Sequence, residues 1–441
     1  MKPLKLGLVI VAAVAITIGL GGMAYAFHSG GVANCDGCHS MHGVVNTDGS
    51  ITTTTQNYLL ANGATESETC LNCHGNATQG SYHVMTTSTE TGGIPPVNYT
   101  PGGDFAWILK NFTPVSGQHW SAALGLGDRH GHNINAPAYG IQTDLLFTKA
   151  PGGSFVSANL ACTSCHDPHG KYRRMGGTGD TGYTIGTSGA PIIGSGSYAT
   201  SLIPGTGQAV GAYRLLAGSG YVNNGVTIGF QGSPVACVPS SYNPTGGEAS
   251  SQTRVAYGVS AASGATTWGQ WCAACHTGYV VGVGSHSHPV DVGLGSSIAS
   301  NYNAYVSSGV TGNTSATSYL SLVPFATNSD SYTVLKGLAV NAATSAGPAA
   351  GDQVICFSCH RAHASAFAYM LRWDASLNEF VTDGTPNWEL VDTALDNGSS
   401  TSGSGGVAVP ASEANAAYYG RAATTFGAYQ RSLCNKCHAQ D

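Results

Sequence analysis

Charged residues are scarce in this sequence. Asp, Glu, Lys and Arg together make up 9% of the 441 residues, whereas about 25% is usual for a soluble domain. The few charges are mostly acidic, with 22 Asp and Glu against 16 Lys and Arg and a formal net charge of −6. Such a chain has little attraction for nucleic acid or for an anionic membrane, which argues against both as partners.

Long apolar runs are also missing, except near the amino terminus. Lys2 and Lys5 precede an apolar run over residues 6–20, and Ala24-Tyr25-Ala26 forms a small-residue cleavage site. This pattern predicts a cleaved signal peptide over residues 1–26. A membrane anchor is the alternative, but the run is shorter than the ~20 residues that span a bilayer. Because the signal peptide directs export, we expect the mature chain, 27–441, to leave the cytoplasm, and no later run predicts a membrane span.

Cysteine, by contrast, is abundant and falls almost entirely in one pattern. C-x-x-C-H occurs six times and takes 12 of the 13 cysteines. The cysteines are Cys35, Cys38, Cys70, Cys73, Cys162, Cys165, Cys272, Cys275, Cys356, Cys359, Cys434 and Cys437, followed by His39, His74, His166, His276, His360 and His438. The pattern is the attachment signature of c-type haem, with two thioether-forming thiols and a proximal iron ligand. One motif could be a redox dithiol or half a zinc site, but six complete motifs predict six covalently attached haem c groups.

Six haems also explain how such a chain could build a core. The sequence has 62 glycines and few periodic apolar segments, so the porphyrins would supply much of the apolar surface. We expect a multihaem cytochrome c fold, with one elongated domain over 27–441 that is mostly irregular coil with a few short helices and minimal strand. Helix-forming residues are concentrated in 315–322, 364–373 and 413–433, where the sequence predicts helices.

Histidine is the second residue in excess. Ten histidines remain after the six proximal candidates, in a chain with only seven lysines. Six of the ten could complete bis-histidine coordination of six irons, leaving about four as bystanders. Irons of this kind are low-spin and have no open position for a substrate. The sequence therefore predicts an electron carrier and not an enzyme.

Three of the spare histidines follow a proximal histidine by three positions. The pairs are His39/His42, His166/His169 and His360/His363. Residues three apart on one helical turn share a side, whereas the two axial positions of one haem lie on opposite faces. The second histidine therefore cannot bind the same iron, and each H-x-x-H predicts a brace between two neighbouring haems. A capping or propionate-bonded histidine is the alternative.

Three smaller features of the sequence also support predictions. Arg173 and Arg174 could bind haem propionates, because a guanidinium group matches a carboxylate, or could form a basic docking patch. Cys237, the odd cysteine, is expected to be a buried thiol, with an intermolecular disulfide as the alternative. Residues 101–105 (Pro-Gly-Gly-Asp-Phe) are echoed at 151–155 (Pro-Gly-Gly-Ser-Phe), which predicts a repeated turn.

Beyond the motifs, the mature chain resembles the hexahaem c-type cytochromes of metal-reducing bacteria that polymerise into conductive filaments. The stretches that carry the resemblance are 27–33, 162–174, 210–214, 253–258, 332–337, 360–364 and 418–421 with the last motif. These stretches are more specific than C-x-x-C-H alone. The departures lie in the loops, at 176–209, 259–267 and near 395–410.

The resemblance implies an irregular chain around a continuous stack of bis-histidine haems in alternating parallel and T-shaped pairs. It implies that one distal histidine, His42, crosses to a haem of the next protomer. His119, His130 and His286 match no position of this kind. The histidines that match distal positions, seven for six places, are His28, His42, His83, His132, His169, His288 and His363.

The function that the resemblance implies is extracellular electron transfer by the subunit of a cytochrome filament. The expected partners are identical protomers, other redox cytochromes, and extracellular metal oxides or electrodes. The expected location is outside the cell or on its outer surface, reached through the periplasm. A discrete monomeric carrier is the alternative. A multihaem enzyme is a third interpretation, but it needs an iron with an open site, often marked by C-x-x-C-K, and all six motifs end in histidine.

Overall fold

The structure is a computed structural model that describes most of the chain from residue 35 onwards. The described residues are 35–39, 44–45, 51–52, 60, 63–76, 82–87, 95, 99–112, 123, 125–177, 179–187, 189–239, 253–259, 266–279, 288–305, 314–375, 411–421, 426 and 432–438. The predicted signal peptide and His28, His42, His119 and His286 lie outside these residues.

Helices in the described part of the chain are few and short, as the composition predicts. The α-helices are Cys35–Cys38, Glu66–His74, Trp268–Ala273, Gly295–Ala304, Tyr332–Leu338, Ala411–Ala417 and Asn435–His438. Short 3-10 turns are Phe105–Leu109, Gly127–Arg129, Pro137–Tyr139, Ser157–Asn159, Cys162–Ser164, Tyr213–Leu215, Thr277–Tyr279, Cys356–Ser358 and Ala368–Met370. Within the described ranges, no helix is long and apolar enough to cross a membrane.

Strands are equally short and form small sheets. They are β1 (Val44–Val45), β2 (Ile51–Thr52), β3 (Arg173–Gly177), β4 (Gly179–Gly186), β5 (Ala209–Gly211), β6 (Val222–Asn223), β7 (Val226–Thr227), β8 (Ala236–Cys237), β9 (Ala256–Gly258) and β10 (Ala326–Thr327). Strands β4-β3-β5 form an antiparallel sheet, and β10-β9-β8 form a mixed one. Strands β1 and β2 pair as a hairpin, as do β6 and β7. The architecture is therefore mostly coil, which confirms the predicted fold class.

Two of the three predicted helices are wrong, and the third is confirmed only at its start. Residues 315–322 form turns and irregular chain, in which 318–322 are all buried, whereas a surface helix buries one face. Residues 364–373 contain only the turn Ala368–Met370, where Tyr369 and Met370 both have φ of 59°. The third segment overlaps the helix Ala411–Ala417, which ends before Tyr419 at φ 58°. Residues 422–425 and 427–431 of this segment lie outside the described part of the chain. Local backbone conformation and burial thus override helix propensity here.

The buried side chains form clusters, and several motif cysteines pack against them. One cluster contains the fully buried Trp107 and has Cys162 and Cys359 packed against it. A second contains Trp268 and has Cys165 and Cys272 packed against it. The two thiols of the third motif therefore face different parts of the core.

Cys237 lies in β8 and is completely buried, in a third cluster. This placement fits the expected buried thiol and leaves no access for an intermolecular disulfide in the folded chain.

The helix Glu66–His74 shows how local sequence positions a motif. Thr65 is its N-cap, because the Thr65 hydroxyl accepts a hydrogen bond from the Glu68 N–H at 3.2 Å. Glu68 reaches back and accepts from the Ala64 N–H at 2.6 Å. The Thr65 hydroxyl also donates to the Asn135 carbonyl at 2.7 Å. The C-terminal half of this capped helix carries Cys70, Cys73 and His74.

Replacing Thr65 with Ala should lower the free energy of unfolding by about 1–2 kcal/mol, because the cap and the bond to Asn135 are both lost. Thr65→Ser keeps the hydroxyl and should stay close to the parent. Thermal unfolding followed by circular dichroism measures the difference. Equal destabilisation of the two variants would contradict a capping role for Thr65.

Candidate functional site

A backbone hydrogen bond closes each of the last four C-x-x-C-H motifs into a single turn. In the third to sixth motifs the histidine N–H donates to the carbonyl of the first cysteine. The acceptors are Cys162, Cys272, Cys356 and Cys434, at 3.1, 3.0, 2.9 and 3.2 Å. A turn of this kind places the two cysteines, three positions apart, on one side of the backbone. In the third and fifth motifs a serine stabilises the turn, since Ser164 and Ser358 accept from the N–H of Ala161 and Ile355 at 3.0 and 3.1 Å.

Four motif histidines face a second histidine from a distant part of the chain. In every case the second ring belongs to one of the predicted distal residues. The ring centroids are 6.1 Å apart for His39 and His169, 6.0 Å for His276 and His132, 6.3 Å for His166 and His363, and 6.0 Å for His438 and His288.

Two of the three H-x-x-H sequences connect different motifs in this arrangement, and His42 of the other lies outside the described residues. His169 follows the third motif but faces His39 of the first. His363 follows the fifth motif but faces His166 of the third. In these two sequences the second histidine thus lies against the proximal histidine of another motif.

Backbone carbonyls hold the Nδ1 atoms of six motif and distal histidines. The Nδ1–O distances are 2.6 Å for His74 to Tyr82, 2.6 Å for His132 to Ala362, 2.7 Å for His166 to Arg214, 2.9 Å for His276 to Pro151, 2.8 Å for His360 to Tyr369, and 3.3 Å for His363 to Gly103. A neutral ring that donates from Nδ1 keeps a lone pair on Nε2, and this is the arrangement of metal-binding histidines.

Burial keeps four of these imidazoles neutral. The pKa of His132 is lowered to about 4, mainly by desolvation and next by the neighbouring His276. The pKa of His363 is lowered to about 3, mainly by desolvation and next by His166. Burial also lowers the pKa values of His166 and His360. Neutral imidazole is the form that binds a metal, so each ring is poised as a ligand near pH 7.

Thiols of neighbouring motifs also lie side by side. A hydrogen bond from Cys70 to Cys162 raises the pKa of the Cys70 thiol well above its usual value and lowers that of Cys162. Cys272 and Cys356 form the same kind of pair. The attachment points of the second and third motifs, and of the fourth and fifth, are therefore adjacent.

Comparison with known proteins identifies the family. No family model matches the chain. It is 43% identical, over 438 residues, to the C-type cytochrome OmcS of Geobacter sulfurreducens, and the alignment covers 95% of each chain. The chain belongs to the OmcS family.

Solved OmcS structures share this fold. A cryo-EM structure of OmcS nanowires from Geobacter sulfurreducens superposes with a TM-score of 0.76 at 41% identity and covers 94% of this chain and 100% of that one. An OmcS filament structure from the same organism gives a TM-score of 0.77 with the same identity and coverage. As a member of the OmcS family, the chain is a c-type cytochrome, an electron carrier with covalently attached haem c and not an enzyme.

The geometry of the histidine pairs fits iron held between two imidazoles. A histidine nitrogen lies about 2 Å from a transition metal, so two rings on opposite sides of one ion have centroids roughly 6 Å apart. The four pairs have separations of 6.0 to 6.3 Å. The separations thus match those expected for two imidazoles on opposite sides of one iron.

Two motif histidines and three distal candidates remain outside these pairs. Among the described residues, no other histidine ring is in contact with that of His360. His83 is buried beside the second motif, where the Val84 N–H donates to the His74 carbonyl at 2.9 Å. His28 and His42 lie outside the described part of the chain.

The basic cluster after the third motif has structural partners. Arg174 is buried, donates to the Asp330 carbonyl at 2.6 Å and lies 4.2 Å from the Tyr332 ring centroid. Arg173 donates to the Ala190 carbonyl at 2.7 Å. These contacts anchor β3 and favour a role in folding over propionate binding or docking.

The carbonyls that hold the Nδ1 atoms were not predictable from residue type, because every residue has a carbonyl. The sequence drew attention to two of these carbonyls only, because they belong to the repeated Pro-Gly-Gly turns. Pro151 and Gly103, one from each repeat, hold His276 and His363.

Proposed function

We propose that the chain is the subunit of an extracellular filament that conducts electrons along six bis-histidine haems. The observation that carries the proposal is the set of four histidine pairs at iron-bridging distance, which joins motifs far apart in sequence. OmcS, a relative whose alignment covers almost the whole chain, forms filaments described as nanowires. Other redox cytochromes would supply electrons to the filament. Metal oxides or electrodes outside the cell would accept them.

The chain's contribution is to hold each iron from both faces. The twelve motif cysteines attach six haems, and His39, His74, His166, His276, His360 and His438 are the proximal ligands. His132, His169, His288 and His363 close the opposite faces of four haems. Haem supplies one-electron chemistry when bound. The second imidazole excludes substrates and, being neutral, favours a potential below that of Met/His haems.

The fifth motif is the one that we assign to a ligand from a neighbouring protomer. The Tyr369 carbonyl accepts from His360 Nδ1, and Tyr369 is 52% exposed. The second motif is similarly open, since Tyr82 holds His74 and is 41% exposed. His83, however, is buried beside the second motif, whereas no described histidine ring is paired with His360. A ligand from another chain could therefore reach this site. His42 of the next protomer is our candidate, while His28 and His83 remain candidates for the second motif, with one of the seven distal residues surplus.

Export follows from the same proposal. Residues 1–26 act as a cleaved signal peptide, and 27–441 form one haem-bearing domain that assembles outside the cell or on its surface. The second candidate function is a discrete secreted carrier, favoured if the monomer holds all twelve axial ligands itself. Electron microscopy and native mass spectrometry of secreted material separate the two. Filaments with six haems per repeat are expected, and a uniform population of monomers would overturn the filament.

His363 provides a direct test of ligation. His363→Ala should leave one iron with an open site, so the ferric protein gains one high-spin haem and the ferrous protein binds about one CO per chain. Optical and EPR spectra measure the spin state, and CO titration measures the stoichiometry.

His130 is the matched control for this experiment. It is completely buried, with its ring 5.3 Å from that of Phe112, but it is not a predicted ligand. His130→Gln should keep six low-spin haems and bind no CO. A His363→Ala protein with six low-spin haems would remove His363 from the ligand set.

A further inference from the structure

The two Pro-Gly-Gly repeats fold into turns at two different haem sites. We name residues 101–105 the first Gly-Gly turn and residues 151–155 the second Gly-Gly turn. In each, the N–H of the second glycine donates to the carbonyl three residues earlier, from Gly103 to Thr100 at 3.1 Å and from Gly153 to Ala150 at 2.9 Å. The sequence predicts these turns but assigns them no function.

The second Gly-Gly turn holds His276 of the fourth motif. The Pro151 carbonyl accepts from His276 Nδ1 at 2.9 Å. The next carbonyl, of Gly152, accepts from the Gly278 N–H at 2.7 Å and from the Thr277 hydroxyl at 3.1 Å. Successive carbonyls of the turn thus fix both the ring and the backbone that follows it.

The first Gly-Gly turn holds His363 in the same manner. The Gly102 carbonyl accepts from the His363 N–H at 2.6 Å, and the Gly103 carbonyl lies 3.3 Å from His363 Nδ1. Phe105 adds a stacking contact, with ring centroids 4.7 Å apart and planes inclined by 21°. Backbone and ring are again fixed together.

Glycine is required because the turns approach these sites too closely for a side chain. A Cβ on Gly153 would lie 1.7 Å from the Cys275 carbonyl oxygen. A Cβ on Gly102 would lie 2.7 Å from His363 Nδ1 and 2.9 Å from its Cε1. In both places the clash is with the haem site itself, which a turn acting only as a chain reversal would not require.

We propose that the two Gly-Gly turns are positioning elements, and that each sets the ring plane and the reduction potential of one haem. The proposal rests on the bis-histidine ligation proposed above. A carbonyl that accepts the Nδ1 proton fixes the ring orientation and makes Nε2 a stronger donor. A stronger donor favours ferric iron, so the bond lowers the potential. The second turn acts on the haem of His276 and the first on the haem shared by His166 and His363.

Two alanine variants test this assignment. Gly153→Ala pushes the second turn away from the fourth motif, and Gly102→Ala pushes on the His363 ring directly. Gly189→Ala is the control, because a Cβ at Gly189 meets nothing within 4 Å. Each purified hexahaem protein is titrated by spectroelectrochemistry, and EPR of the ferric form reports the orientation of the axial rings.

In each variant one of six transitions should move to higher potential, with one altered low-spin EPR signal, and the two variants should move different transitions. Gly189→Ala should match the parent. Six unchanged transitions, or six that move together, would overturn the assignment. Gly153→Ala meets backbone and could prevent accumulation, in which case Gly102→Ala decides alone. A parent protein without six low-spin haems would instead refute the proposed function.

Discussion

Replacing His42 with Ala should abolish filaments while leaving a soluble protomer that carries six haems. If His42 supplies the sixth ligand to the haem of His360 in the next protomer, its loss opens that iron and removes an iron–nitrogen bond from every interface. The protomer should then show one high-spin haem, as His363→Ala does, but only the His42 variant should lose assembly. Electron microscopy and sedimentation of secreted material measure the loss.

Added imidazole sharpens this experiment. Free imidazole can occupy the open iron and restore a low-spin spectrum, but it cannot join two protomers. The spin state should therefore recover without filaments. His286→Ala is the control, since His286 matches no ligand position, and it should form normal filaments. Filaments with six low-spin haems in the His42 variant would eliminate the protomer-crossing bond.

Removing one haem attachment site should unfold much of the protein. Cys272 packs against the buried cluster around Trp268, next to Cys356 of the following motif. A porphyrin that buries roughly 400 Å² of apolar surface contributes about 10 kcal/mol, and a domain is stable by about 5–15 kcal/mol in total. We therefore expect the Cys272→Ala/Cys275→Ala protein not to accumulate, or to be degraded rapidly by protease.

Cys237→Ala is the matched control, because Cys237 is a fully buried cysteine outside the motifs. It loses one sulfur atom and should be destabilised by about 1–2 kcal/mol with all six haems retained. Haem stain, secreted yield and protease resistance compare the two proteins. A five-haem double variant as stable as Cys237→Ala would show that the polypeptide supplies its own core.

Covalent chemistry made the haem motifs predictable from the sequence. The attachment of one porphyrin needs two thiols and a histidine at fixed local spacing, so Cys162, Cys165 and His166 are identifiable without a fold. The pairing of His166 with His363 is not local, and only the folded chain brings these two rings to 6.3 Å. The resemblance predicted which histidines are distal ligands. The structure shows which motif histidine four of them face.

Helix propensity failed where buried chain is not helical. The composition of residues 318–322 favours a helix, but all five side chains are buried. A surface helix buries only one face, so the pattern of an amphipathic helix does not apply here. The turn around Tyr369 has left-handed backbone at two non-glycine residues, a conformation that local sequence disfavours. That turn supplies the carbonyl for His360. The unpredictable backbone thus lies at a haem site, where strained conformations are often found.

The long-range histidine pairs have a consequence for how the protein matures. His39 and His169, like His166 and His363, are more than a hundred positions apart, so closing each pair orders a large loop of chain. Any free imidazole can occupy any iron, and sixteen histidines give the unfolded chain many wrong pairings. Each wrong bond is a kinetic trap that must dissociate before the correct one forms. Ligand exchange at iron, more than collapse of the polypeptide, should therefore limit the rate of folding.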